Sequence, residues 1–385
     1  MRTHHLCATV LLTGLFATAG SAAGPPGPAP RLTAGNGTIY LGSYAKHIEI
    51  IDEATEKVAA QIPLKTGIPW AVRLSRDATR LYVQSADQEQ YEVIDVATRQ
   101  TIDTFTLSEP NKHVRALAFE VDPQHHYMVL VARTATRHAD RFEIGPPVFI
   151  QYDLKEHKIV RTEPWTSDPE PSYYFVDLRF SPDGKLLYVF SHEILVRDAA
   201  TLRPMESWDL SLPNEPGLGR FDLGWMDEWN DDPGFFTALF TMEDTVQKRK
   251  LLVVGRVNMG ERTIDFFPIG PAPERGEVSF ALAPGRKQAY VLVQETRHYE
   301  LWTIDVAGRR RESRIEFDGR TRMALRSSSN GKILYIYEAG NTIDLYEAAG
   351  FKYLRTITLD TDMMYNTFHV VPPRPQPRRT TSSPQ

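Results

Sequence analysis

The chain has 385 residues, 42% of them hydrophobic and 24% charged, with a formal net charge of −5. That mildly acidic balance excludes the basic footprint nucleic-acid binding requires. The one cysteine, Cys7, lies in a segment that reads as a removable leader, so the mature chain has no disulfide, thiol nucleophile, thiolate metal site or haem attachment motif.

Sixteen Tyr and eighteen Phe, with few stretches of period 3.6 after the N-terminus, point to an all-β chain. Residues 1–23 combine Arg2, an apolar run from Leu6 to Ala19 and the small residues Ser21-Ala22-Ala23, which reads as a secretory signal cleaved near Ala23. The run, about 14 residues long, is too short for a spanning helix, which needs about 20. Export without disulfides fits a periplasmic or secreted protein, with no membrane span once the signal is cleaved. Residues 24–37 open with GPPGPAP and read as a flexible spacer. Asn36-Gly37-Thr38 matches a glycosylation acceptor but reads as a polar turn.

Residues 38–371 repeat one unit, most complete from Tyr174 to Ser211. Phe175 to Phe180 alternates apolar and polar residues, Ser181-Pro182-Asp183-Gly184 supplies a turn, and Leu186 to Phe190 is an apolar run. Ile194 to Arg197 and Met205 to Leu210 add two more strands. The same plan runs from Trp70 to Leu107, from Val114 to Trp165 with a long link at Ala132 to Pro147, and from Phe221 to Ile269. It recurs from Val278 to Phe317 and from Met323 to Leu359. The unit from Ile39 to Ile62 shows only three strands. Ile51-Asp52, Ile94-Asp95, Tyr152-Asp153, Arg197-Asp198 and Ile304-Asp305 mark the ends of third strands. Four strands every 40 to 50 or so residues is a propeller-blade signature, and seven units can be counted. The fold expected is a seven-bladed β-propeller of four-stranded antiparallel blades, with Asn366 to Val371 completing blade one and closing the ring. Residues 372–385, rich in Pro, Arg and Ser, read as a disordered tail.

The Ile-Asp, turn and strand pattern resembles the YVTN-type propellers of exported bacterial proteins. Within it, LSEPNKHVRALAFEVDPQ at Leu107 to Gln124, RFEIGPPVFIQYDL at Arg141 to Leu154 and HKIVRTEPW at His157 to Trp165 resemble the β subunit of quinohemoprotein amine dehydrogenase. The resemblance implies a periplasmic scaffold subunit packed against protein subunits that carry haem and a quinone cofactor. No cofactor is then expected in this chain. The Trp-rich turn of blade five and the basic tail depart from that pattern.

Candidate site residues are few. Arg133, Arg137, His138, Asp140 and Arg141 crowd the long link of blade three, and Lys248, Arg249 and Lys250 occupy the corresponding link of blade five. Such links suit a partner's surface, although solvated loop charge is the commoner outcome. Trp225 and Trp229 stand with Phe235 and Phe236 around Asp227, Glu228, Asp231 and Asp232, a composition that fits an interface better than calcium because the ligand spacing for that ion is missing. The candidate interface is thus Arg133, Arg137, His138, Arg141, Trp225 and Trp229. His47, His138, His192 and His298 fall in links of different blades, too far apart to share a metal. His125 and His126 are expected on opposite faces of a strand. Ser75, Ser181 and Ser328 sit in turns without a nucleophile elbow. The reading is therefore a binding or scaffold subunit without catalysis of its own. The alternatives are a metal-dependent lactonase-like propeller hydrolase, for which Asp177 and Asp222 are the inner-strand carboxylates, and a free-standing ligand sensor.

Overall fold

Two kinds of side-chain cap set the strand ends of this chain. At the turn between third and fourth strands, the Asp carboxylate accepts the backbone N–H three residues on: Asp52 from Thr55 (2.7 Å), Asp95 from Thr98 (2.7 Å), Asp153 from Glu156 (2.8 Å), Asp198 from Thr201 (2.7 Å) and Asp305 from Gly308 (2.7 Å). The residue that follows the donor then adopts a left-handed conformation, as Glu56, Arg99, His157, Leu202 and Arg309 do. The repeated Asp is thus turn chemistry. At the turn between first and second strands, the hydroxyls of Ser75, Ser181 and Ser328 accept the N–H of Arg80, Leu186 and Ile333, and Asp122 does the same for Tyr127.

A computed structural model of the protein describes residues 31–373 apart from 169, 172–175, 211–215, 227–230 and 321. The leader at 1–23, half of the spacer and nearly all of the tail expected at 372–385 lie outside the described residues. What is described forms seven antiparallel sheets in a ring. In six of them the four principal strands follow chain order from the axis outward. The first sheet has the order His369–Val371, Thr38–Gly42, His47–Asp52, Lys57–Pro63, so the end of the chain supplies its inner strand. The pairs Thr38 with Val371, Ile39 with Val370 and Tyr40 with His369 make that seam. The closing strand is shorter than the sequence suggests, because Tyr365–Thr367 forms a 3-10 turn before it.

Hydrophobic clusters fill the gaps between consecutive blades. Tyr40, Ile48 and Val72 belong to the gap between blades one and two, Tyr91 and Phe119 to that between two and three, and Leu178 and Val129 to that between three and four. Phe190 and Phe240, Leu252 and Phe280, then Tyr290 and Ile336 continue the series to blade seven. In the gap between blades three and four lies Arg197, 1% exposed, its guanidinium 3.9 Å above the Phe149 ring. It donates to the Leu202 carbonyl (2.7 Å) and the Thr166 hydroxyl (3.1 Å), and burial lowers its pKa to about 10.

Between blades seven and one, apolar packing that includes Phe368 stacked on Tyr337 at 4.3 Å is joined by a polar cluster. Glu53 Oε2 accepts Gly37 N–H (2.9 Å), while Oε1 accepts Tyr335 Oη–H (2.8 Å) and Ser329 N–H (3.1 Å). Arg355 Nε donates to Glu56 Oε2 (2.5 Å) beside it. Asn36-Gly37-Thr38 is therefore part of the closure.

One expectation needs correction here. The Ala132 to Pro147 link of blade three is largely strand: Tyr127–Arg137 continues past the blade, flanked by the start of Lys112–Val121 on one side and by Phe142–Ile144 on the other. The β-favouring, alternating sequence after Val131 lets the hairpin run on as a three-stranded ribbon.

Glu53→Ala strands three donors and is expected to cost about 3 kcal/mol in urea unfolding. Burial raises the Glu53 pKa against its hydrogen bonds. The folded state thus holds this proton more tightly than the unfolded chain, a contribution present below the ordinary carboxylate pKa and lost as pH rises through the folded value. The deficit of Glu53→Gln against the parent should therefore be smaller at pH 8 than at pH 5.

Candidate functional site

In blades two, three, four and seven the residue two places before the turn-capping side chain is charged: Arg73, Glu120, Arg179 and Arg326. These positions lie on the inner strands Pro69–Leu74, Lys112–Val121, Asp177–Phe180 and Ala324–Ser327, so the fold gathers them around the axis. Arg73 Nη2 donates to Asp177 Oδ1 (2.5 Å), a contact that passes the inner rim of blade three. Arg179 pairs with Asp177 Oδ2 (2.9 Å) and donates to Glu120 Oε2 (3.1 Å). Arg326 donates instead to the carbonyls of Leu325 (2.9 Å) and Phe368 (3.3 Å). Burial pushes the Glu120 carboxyl above its ordinary value, opposed by Arg179 and Arg73.

This network forms one wall of a cavity of about 310 Å³ at the end of the axis where first strands turn into second strands. Arg76 and Pro123 come from the turns of blades two and three, and Asp231 to Thr237 from blade five. Asp232 is held between Arg286 (2.7 Å) and Arg256 (2.9 Å), and the Arg256 guanidinium lies 3.9 Å over Phe235. Asp231 accepts the N–H groups of Thr237 (2.5 Å) and Asp232 (2.9 Å), and burial raises its pKa. Asp231 and Asp232 are thus committed to backbone and arginines, and Phe236 stacks on Phe190 at 3.8 Å.

The residues singled out from sequence fall in three places. Arg133, Arg137, His138 and Arg141 belong to the blade-three ribbon, at the end of the ring opposite the cavity. Arg133 pairs with Glu170 (2.6 Å), His138 with Glu143 (2.9 Å) and Arg141 with Asp140 (3.2 Å). Phe142 and Ile144, two apart on one face of the ribbon, are 64% and 61% exposed. On the same end, blade five presents Val246, 77% exposed, with Lys248, Arg249 and Lys250. Trp225 lies in the inner strand Leu218–Met226, and Trp229 lies outside the described residues, as do Asp227 and Glu228.

The four histidines of the strand-two-to-three links each meet a neighbour: His47 with Glu49 (2.8 Å), His138 with Glu143, His192 with Arg220 (3.0 Å) and His298 with Glu300. His298, Glu300 and Glu316 bring their ligand atoms within 4.8 Å of one another, but Glu300 already accepts from Arg314 and from Trp302 Nε1 (2.6 Å), which competes with a cation. Asp177 and Asp222 do not act together. The first is bound by Arg73 and Arg179, the second by Arg220 (2.8 Å) and more distantly Lys250 (4.0 Å). His125 and His126 sit in a turn and not on a strand: Asp122 caps that turn and places His125 at φ 61°. His125 then bridges Tyr82 Oη (2.8 Å) and Asp77 (3.2 Å). The turn serines spend their hydroxyls on caps.

No protein-family model matches the chain, and no curated protein matches its sequence. Among solved structures it is similar to hydrazine synthase of Kuenenia stuttgartiensis, over 91% of this chain and 100% of that one, at 15% identity and a TM-score of 0.52. It is similar to a functionally unknown protein of Desulfotomaculum acetoxidans DSM 771, over 88% and 100%, at 13% identity and a TM-score of 0.53. The dihydro-heme d1 dehydrogenase NirN aligns over 88% of this chain and 76% of that one at 13% identity, with a TM-score of 0.48 that carries no argument. At these identities the likeness shows the propeller fold and not an activity. No helix among the described residues is long and apolar enough to cross a membrane.

Arg179→Ala leaves Glu120 and Asp177 short of their shared cation, and the expected cost is about 3 kcal/mol in urea unfolding. An unpaired carboxyl escapes the penalty by taking a proton, so the deficit should shrink between pH 8 and pH 5.

Proposed function

We propose that the protein is an exported, non-catalytic propeller that binds a protein partner through the end of the ring carrying the blade-three ribbon. The observation that carries the reading is the exposed pair Phe142 and Ile144 on a strand held by its own ladder, with Arg137 beside it. Interfaces are enriched in aromatic residues and Arg, and a rigid strand loses little freedom on docking. Lys248 and Lys250, with Val246, extend the same character to blade five, which fits a partner with an acidic rim and an apolar centre. The resemblance of blade three to an amine dehydrogenase β subunit supports a scaffold role in a periplasmic complex whose haem or quinone is carried by other subunits. A propeller of this fold occurs in hydrazine synthase, which agrees with such use. The lactonase-like alternative has lost its carboxylate pair to arginine and lysine partners.

Affinity purification of the tagged chain from its native host tests the reading, with haem absorbance and quinone staining of whatever accompanies it. Phe142→Asp with Ile144→Asp should lower partner recovery at least tenfold and leave the thermal midpoint within about 1 °C, since exposed substitutions rarely change stability. A chain that purifies alone, or a double variant that retains its partner, overturns the proposal.

A further inference from the structure

We propose that the axial cavity is a binding site for a small monocarboxylate with an apolar body, held by the Arg76 guanidinium. The site is independent of the partner reading, because its turns lie at the opposite end of the ring from the ribbon.

At about 310 Å³ the cavity is at the small end of ligand sites, which run from about 300 to 1,000 Å³. Three guanidinium groups line it, and two are already committed to Asp177 and Glu120. Arg76 is different. Its Nη1 donates to the carbonyls of Pro182 (2.9 Å) and Ser181 (3.3 Å), and its Nη2 to that of Phe180 (3.4 Å). Blade four's turn thereby fixes one end of the fork. A guanidinium has five N–H donors. Nε and the second hydrogen of Nη2 remain, side by side on one edge, at the spacing that takes both oxygens of a carboxylate. Among the described residues no carboxylate pairs with Arg76 directly, and Glu120 acts on it only at longer range. The residue as a whole is exposed, yet desolvation lowers the pKa of its head group, which fits a guanidinium at the cavity mouth.

The rest of the wall defines the ligand class. Phe236 and Met259 are buried and apolar, so they suit a hydrocarbon body. The open edge of Arg76 offers two donors, which match one carboxylate, and the other two guanidinium groups of the lining are committed to acids, which leaves no second cation for the further charge of phosphate or sulfate.

Isothermal titration of the full chain with benzoate, with benzamide as its neutral isostere and sulfate as an anion without an apolar body, tests the site. Benzoate is expected to bind at least tenfold more tightly than either. Arg76→Gln should remove that preference, while Lys57→Gln, exposed on the outer strand of blade one, keeps it. Titration of the 15N-labelled parent needs no variant: benzoate should shift the Arg76 Nε resonance and benzamide should not. Equal affinity for benzoate and benzamide, no binding of benzoate, or unchanged benzoate affinity in Arg76→Gln overturns the proposal.

Discussion

The structure depends on closure. Each blade buries its faces only against its neighbours, so the seven sheets are stable as a cycle, and the cycle exists because His369–Val371 pairs with Thr38–Gly42. Six of the gaps hold apolar clusters, one of them around the buried Arg197. The seventh, where the first and last blades meet, adds a polar centre at Glu53 to its packing. A carboxylate that accepts from Gly37, Ser329 and Tyr335 fixes position as apolar packing cannot, because the donors have one geometry that satisfies them all.

Much of this was legible in the residues. Turn chemistry at Ser181 to Gly184, the Asp at the close of third strands and the missing strand of blade one were enough to place seven blades and the closing segment. The blade-three ribbon was not read, since Thr134 and Thr136 alternate with small and charged residues in a pattern that serves strand or loop equally. Arg197 was read as a strand-end residue. Its burial depends on Phe149 from another blade, which no local pattern reveals.

The axial network was overlooked although its signal was present: Arg73, Arg179 and Arg326 occupy one register position, with Glu120 in the fourth copy. Aligning the blades on their capping Ser or Asp would have exposed it. The Arg73 to Asp177 contact, by contrast, joins residues 104 positions apart, and the role of Asp232 depends on Arg256 and Arg286 from two blades. Such pairings follow from the ring and not from spacing. The two ends of the molecule accordingly differ in chemistry: one offers an exposed apolar and basic ridge, the other a recessed, charge-rich hollow.

Seam placement also sets a timetable. The first strand of the ring, Thr38–Gly42, waits for His369–Val371 before its inner edge is covered, so the growing polypeptide carries an open edge until the seventh blade has been made. A stop codon a few positions short of Val371 would therefore injure blade one as much as blade seven, and the soundness of the ring is decided only when that last strand arrives.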